Sequence, residues 1–279
     1  MATTQYNVQN VEKTIYLLEF LAEQDEPVGV TEISKGLGLN KNIVFRLLST
    51  LEKHRWITPH EGPAYSLGLQ PFRCFSHAFA KTSLRKAAIG PLEALWRESS
   101  DNTYLAVLDD TKTLFMESFE SRRDVRCGGS AGGRFYSNCC APGKVLLAFS
   151  SESVMEQLTK EGFTKMTESS ITNPKKLNKE LAQINKQGYG LDVEEYGRGM
   201  ICFAAPIYDH NNKVIASIGV TSLLIYFTLN EFIMAIGPKV IKAAKEISIV
   251  LGASQEIQEG YDRTFTTISD SKNIHEKSS

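Results

Sequence analysis

The side chains able to do chemistry are few and unevenly placed. Five cysteines occur, Cys74, Cys127, Cys139, Cys140 and Cys202. They are odd in number and lack framework spacing, so reduced thiols are expected. Only His210 lies between residues 80 and 270, and there is no CxxC, HxH or HExxH. No metal site and no cofactor is expected on that basis. With no GxSxG and no partners for a triad, an enzyme is not expected either. The vicinal Cys139-Cys140 pair precedes an expected helix start, a position that lowers a thiol pKa. A thiol-based redox sensor using Cys139 and Cys140 is therefore the alternative function. Positive charge is the other resource. The chain has 31 Lys and Arg against 32 Asp and Glu, a net charge of −1. Residues 35–55 nevertheless hold five basic side chains and only Glu52 as an acid, a local +4. Bulk coating of a polyanion is excluded; a focused basic element is not.

The elements that must carry that charge follow from periodicity. Val11, Ile15, Leu18 and Leu21 mark one face of a first helix over 11–24. Thr31 is the expected N-cap of a second helix reaching Leu37, and Gly38-Leu39 forms a tight turn. A third helix opens at Asn40 and runs to about His54. Its Val44, Leu47, Leu48 and Leu51 belong in a core, while Lys41, Asn42, Phe45, Arg46 and Ser49 lie on other faces. Trp56–Thr58 and Ala64–Leu67 flank the turn Glu61-Gly62-Pro63 as a hairpin. Helix, helix, turn, helix, hairpin is the order of a winged helix-turn-helix. Lys41 and Arg46 can meet phosphates or guanine edges, and Asn42 and Ser49 can read or position bases. Thr31 and Ser34 suit phosphate contacts. Phe45 either touches thymine methyls or tucks under the wing.

The remainder is mixed α and β. Residues 69–82 form a connecting helix, with Phe72, Phe75, Ala78 and Phe79 on a common side. A helix over 84–99 contains Pro91. Strands are expected at 103–108 and 114–119, then helices at 142–150, 151–160 and 174–187. Three antiparallel strands follow at 189–195, 201–208 and 214–222. A helix over 229–251 is interrupted at Gly237-Pro238. Residues 254–279 are polar and aperiodic, and a disordered tail is expected. A 42% apolar fraction, with 14 Phe and 10 Tyr, supports real cores and excludes global disorder. No membrane span and no signal peptide is expected, which places the chain in the cytoplasm.

Several segments resemble one family. VEKTIYLLEFLAEQDEPVGVTEISKGLGLNKNIVFRLLSTLEKHRWI (11–57) is similar to the winged helix-turn-helix of IclR-family bacterial transcription regulators. SLGLQPF (66–72), APGKVLLAF (141–149) and QGYGLDVEEYGRGMICFAAPIYDHNNKVIASIGVTS (187–222) resemble that family's linker start, glycine-lysine helix and effector-domain signature. The resemblance runs from about residue 8 to 252. It implies an α+β chain: a DNA-binding domain at 1–68, a linker helix at 69–83 and a GAF-like α/β effector domain with an antiparallel sheet at 84–253. It further implies a homodimer or homotetramer on double-stranded operator DNA, more often a repressor, controlling catabolic genes through a small carboxylate or aromatic acid. By position, the family's effector-binding residues match Cys140, Ala141, Pro142, Asp192, Met200, Cys202, Gly219 and Thr221. Three positions depart from the family pattern. Pro142 replaces a small residue and removes one N–H donor, Gly219 stands where a hydroxyl residue is frequent, and Cys139-Cys140 is unusual. The helix start at Gly143-Lys144 offers N–H donors and a positive dipole to an anion, and the plainer reading of Lys144 is a surface salt bridge.

Overall fold

The computed structural model describes residues 8–79 and 83–275, without the side chains at 75–79, 83 and 270–275. The chain divides into two compact units, Met1–Thr82 and Ser83–Ser279.

The first unit runs α1 (Gln9–Ala22), β1 (Val28–Gly29), α2 (Val30–Leu37), α3 (Lys41–Lys53), β2 (Ile57–His60), β3 (Ala64–Leu67) and α4 (Leu69–Phe79). Its core is built from Leu17, Leu21, Ile33, Val44, Leu48, Leu51, Ile57 and Tyr65. In α1 the inward face is carried by Leu17 and Leu21, with Leu18 partly buried; Val11 and Ile15 remain 56% and 48% exposed. The helix is thus turned from the face expected. Two start signals differ in fate. Asn40 caps α3 by accepting the Asn42 N–H at 2.9 Å. Thr31 does not cap α2: the N-cap is Gly29, whose N–H donates to Glu32 at 3.1 Å, so Thr31 sits inside the first turn. Gly38 closes α2 at φ 63°, a left-handed conformation that costs glycine little. β1 was not foreseen; it pairs with β3 and makes the wing a three-stranded sheet. Of the expected aromatic stripe on α4, Phe72 is exposed, and Phe75, Ala78 and Phe79 lie outside the described side chains.

The second unit contains α5 (Ser83–Ser99), β4 (Asn102–Asp109), β5 (Lys112–Phe119), β6 (Arg134–Tyr136), α6 (Ala141–Ala148), α7 (Glu152–Glu161), α8 (Pro174–Gln187), β7 (Gly190–Val193), β8 (Met200–Tyr208), β9 (Val214–Leu223), α9 (Leu229–Val250) and α10 (Gln255–His275). Six strands form one antiparallel sheet in the order β6-β5-β4-β9-β8-β7. One face packs on α5, α9 and α10, through Leu92, Phe203, Phe232, Val240 and Tyr261. The other packs on α6, α7 and α8, through Tyr104, Phe115, Val145, Leu158 and Leu177. Covered on both sides, β8 is buried from Ile201 to Ile207, which explains its continuous apolar run. Helix α9 continues through Pro238 instead of being interrupted there. The expected tail is also corrected. Ile257, Tyr261, Thr264 and Ile268 recur at helical spacing, and Tyr261 and Ile268 enter the core at 4% and 3% exposure. Burial of that stripe orders a segment whose composition is otherwise polar. Among the described residues no helix is long and apolar enough to cross a membrane.

Candidate DNA-reading helix and effector seat

Asn42, Phe45, Arg46 and Ser49 fall at i, i+3, i+4 and i+7 of α3 and are all exposed, as is Lys41. They form one solvent stripe opposite Val44, Leu48 and Leu51. Phe45 is 59% exposed, so it is not tucked under the wing. Lys41 and Arg46 form no ion pair among the described residues, which leaves both cations open to phosphate or base contacts. Thr31 is exposed at the start of α2. Ser34 is used differently: its hydroxyl donates to the Leu39 carbonyl at 2.6 Å and stitches the turn between α2 and α3.

In the second unit the strand register lines up four polar residues. Asn102 on β4 pairs with Thr221 on β9, Thr221 with Cys202 on β8, and Cys202 with Asp192 on β7. Partners directly opposite in a sheet share a face. All four are at least 95% buried. Cys202 Sγ lies 2.7 Å from Thr221 Oγ1 and 3.2 Å from Tyr104 Oη. Met200 shares the parity of Cys202 and lies against Gly197. Facing this row, Cys140 is the N-cap of α6, followed by buried Ala141 and Pro142. Gly219 has a reason of its own: a Cβ there would come within 2.4 Å of both the Phe203 carbonyl and Tyr104 Oη. Any side chain at 219, a hydroxyl-bearing one included, is excluded by these two contacts. Tyr104 was not singled out in the sequence, since only cross-strand register reveals that it stands opposite Gly219.

Charge in the seat is concentrated on buried groups. Lys144 is fully buried, which removes the surface salt-bridge reading, with Nζ 2.5 Å from Glu195 and 3.3 Å from Glu180. Burial pushes its pKa down, but the two carboxylates outweigh this and hold it above the usual lysine value. Glu195 is raised, chiefly by burial, against the pull of Lys144. Asp192 accepts the N–H of Glu195 at 2.7 Å, and burial, reinforced by the Glu195 charge, raises it from 3.8 to about 7. Two buried acceptors, Asn102 Oδ1 and Glu195 Oε2, have no hydrogen-bond partner among the described residues. Above them a strap holds the turn after β7: Thr167 donates to the Glu194 carbonyl at 2.6 Å and Ser170 to that of Glu195 at 2.7 Å.

The thiols do not fit the redox alternative. Burial pushes Cys140 up to about 12, against the Gly143 amide and Thr113 hydroxyl, and drives Cys139 and Cys202 upward as well. Cys139 Sγ donates to the Thr164 carbonyl at 3.1 Å. A redox-reactive cysteine requires the opposite, an accessible thiol of lowered pKa. No cluster of potential metal ligands occurs among the described residues.

The model of the IclR helix-turn-helix domain matches residues 10–61, and that of the bacterial transcriptional regulator IclR C-terminal domain matches 76–249. The chain belongs to the IclR family of bacterial transcriptional regulators. It is 32% identical to the Escherichia coli regulator XynR over 219 residues, covering 77% of this chain and 86% of that one. It is 29% identical to the Escherichia coli transcriptional repressor IclR over 249 residues, covering 88% and 90%. The Alicyclobacillus acidocaldarius IclR regulator shares its fold at a TM-score of 0.78, with 24% identity and coverage of 88% and 100%. An IclR homologue from Microbacterium hydrocarbonoxydans, solved with 4-hydroxybenzoate, aligns at a TM-score of 0.76, with 20% identity and coverage of 88% and 100%. This IclR-family chain is accordingly a DNA-binding transcriptional regulator with an effector-binding domain; the families and relatives it matches are regulators, not enzymes.

The raised Asp192 sets a pH signature. A carboxyl whose folded pKa exceeds its unfolded value keeps its proton in the native state, so its contribution is full below about pH 4 and is lost as pH rises toward 7. Asp192→Asn is expected to flatten that loss and to stabilise the fold at pH 8 by on the order of 2–4 kcal/mol. Urea unfolding from pH 4 to 8 measures it, and parallel profiles for variant and parent would refute the assignment.

Proposed function

We propose that this regulator is a ligand-responsive repressor of catabolic genes, acting in the cytoplasm as a homodimer or homotetramer on operator DNA. The effector is a small carboxylate or aromatic acid, seated among Cys140, Ala141, Pro142, Asp192, Met200, Cys202, Gly219 and Thr221. The observation that carries this reading is the buried row Asn102–Thr221–Cys202–Asp192 laid across four strands opposite the N-terminus of α6. A polar row in a sheet interior costs stability unless something is gained from it. Tyr104, Phe115 and Phe135 line the same side, with ring centroids 4.6 and 4.2 Å apart in sequence. In this reading an aromatic or short aliphatic effector packs beside these rings, and hydroxyl groups on it donate to the unpartnered acceptors. The homologue solved with 4-hydroxybenzoate supports an aromatic acid. Lys41, Asn42, Phe45, Arg46 and Ser49, with Thr31 and Ser34 nearby, form the DNA-reading surface.

An effector shifts operator affinity only by binding the DNA-competent and incompetent states differently, typically by about 1–3 kcal/mol. A thermal-shift screen of small acids, with 4-hydroxybenzoate included, is expected to yield a stabilising ligand. That ligand should weaken operator binding in gel shifts. Thr221→Ala should retain DNA binding and lose about tenfold or more in effector response. An unaltered response in both Thr221→Ala and Asp192→Ala would remove the seat from this position.

A further inference from the structure

Helix α10 begins at Gln255, beyond residue 249 where the match to the C-terminal family model ends. It is nonetheless firmly attached. Tyr261 Oη donates to the Pro206 carbonyl at 2.5 Å and lies 2.9 Å from Ser248 Oγ. Thr264 Oγ1 donates to the Gln187 carbonyl at 3.0 Å, and Lys245 pairs with Asp262 at 2.6 Å. Between α10, the C-terminal end of α8 and the adjoining ends of β7 and β8 lies a cleft of about 560 Å³. Cavities of roughly 300–1,000 Å³ suit small molecules.

The lining of the cleft has two characters. Tyr189, Tyr208, Pro206 and Ile257 provide apolar surface. Both tyrosine rings are fixed: Tyr189 stacks on Phe203 at 4.7 Å, and Tyr208 meets Tyr261 edge-on at 6.0 Å. The hydroxyls of Tyr189 and Tyr208 make no hydrogen bond among the described residues, and burial pushes Tyr208 up to about 12, so it stays a donor. Lys186 and Arg263 add two cations, neither in an ion pair among the described residues, against the single carboxylate of Glu256. Gly260 also faces the cleft. A Cβ built there meets only the Arg263 guanidinium, at 3.8 Å. Glycine inside a helix costs about 0.5–1 kcal/mol relative to alanine. Here it leaves that stretch of the α10 wall without a side chain.

We propose that this cleft is a second small-molecule site, separate from the effector seat, which takes an aromatic anion. The ring lies among Tyr189, Tyr208 and Ile257, and the anionic group meets Lys186 and Arg263. The helix that forms one wall, α8, also carries Glu180, the second carboxylate on buried Lys144.

The probe is 1-anilinonaphthalene-8-sulfonate, an aromatic sulfonate whose fluorescence rises in apolar surroundings, titrated into the full chain. A saturable signal of one probe per chain is expected. Gly260→Leu should weaken it by about tenfold or more by placing a side chain within the cleft, with the far-UV spectrum unchanged and Tm equal or higher. The double variant Lys186→Glu, Arg263→Glu, altered only at polar positions, should weaken the probe by about tenfold or more. Thr221→Ala, in the effector seat, should bind as the parent does. Absence of a saturable signal, or a signal that survives both Gly260→Leu and the double reversal, overturns the proposal. Loss confined to Thr221→Ala would place the probe in the effector seat and equally overturn it.

Discussion

Replacing Lys144 by alanine should lower the unfolding free energy by about 3–5 kcal/mol, the cost of stranding a buried charge. The ammonium is fully enclosed, 2.5 Å from Glu195 and 3.3 Å from Glu180. Glu195 is itself nearly enclosed, with Oε2 already unpartnered, and its backbone N–H is committed to Asp192. Removal of the lysine leaves that carboxylate without a counter-charge beside a second buried acid. The reverse inference does not hold: a buried pair is not in itself a large net source of stability, since desolvation offsets the attraction. Lys144→Met combined with Glu195→Gln should therefore recover more than half of the loss. Urea unfolding of Lys144→Met, Glu195→Gln and the double closes the cycle. A Lys144→Met single variant as stable as the parent would mean that the lysine acts through its packed stem and not its charge.

What the sequence disclosed, and what it hid, follows the range of the interactions. Local chemistry was readable. Asn173-Pro174 opens α8 and Gly188 ends it in the left-handed conformation, so both ends of that helix stand where expected. Asn40 and Gly38 frame the turn of the helix-turn-helix in the same way. The cap of α2 was misplaced because Glu32 reaches back to a glycine, which left Thr31 nothing to cap. Long-range features were hidden. The burial of Lys144 was not legible, because its carboxylates come from α8 and from the turn after β7, 36 and 51 residues away. Tyr104 and Gly219 explain each other only once β4 and β9 are paired. The α10 stripe was present at Ile257, Tyr261 and Ile268, but three apolar positions among many polar ones resemble a tail until a partner surface is known.

For the proposed DNA-reading surface, the decisive variant is Arg46→Ala. The side chain stands in the middle of the exposed stripe Asn42, Phe45, Arg46, Ser49, without a carboxylate partner among the described residues. It also lies at the centre of the local +4 of residues 35–55. An arginine that reads a guanine edge is worth about 1–3 kcal/mol, so operator affinity should fall about 10- to 100-fold and discrimination at one base pair should relax. Lys41, at the first turn of α3, is placed for phosphate instead. Lys41→Ala should weaken all sequences alike and reduce the slope of log affinity against log salt by about 1. Operator fragments selected from a random duplex pool by the parent protein supply the DNA, and fluorescence anisotropy across a salt series supplies both quantities. Both variants lie on the solvent face, so Tm should stay within about 2 °C of the parent. Unchanged affinity and slope in both, with the fold intact, would move the DNA contact off this stripe. Loss in Lys41→Ala alone would leave α3 on the backbone and transfer base reading to Asn42, Phe45 and Ser49.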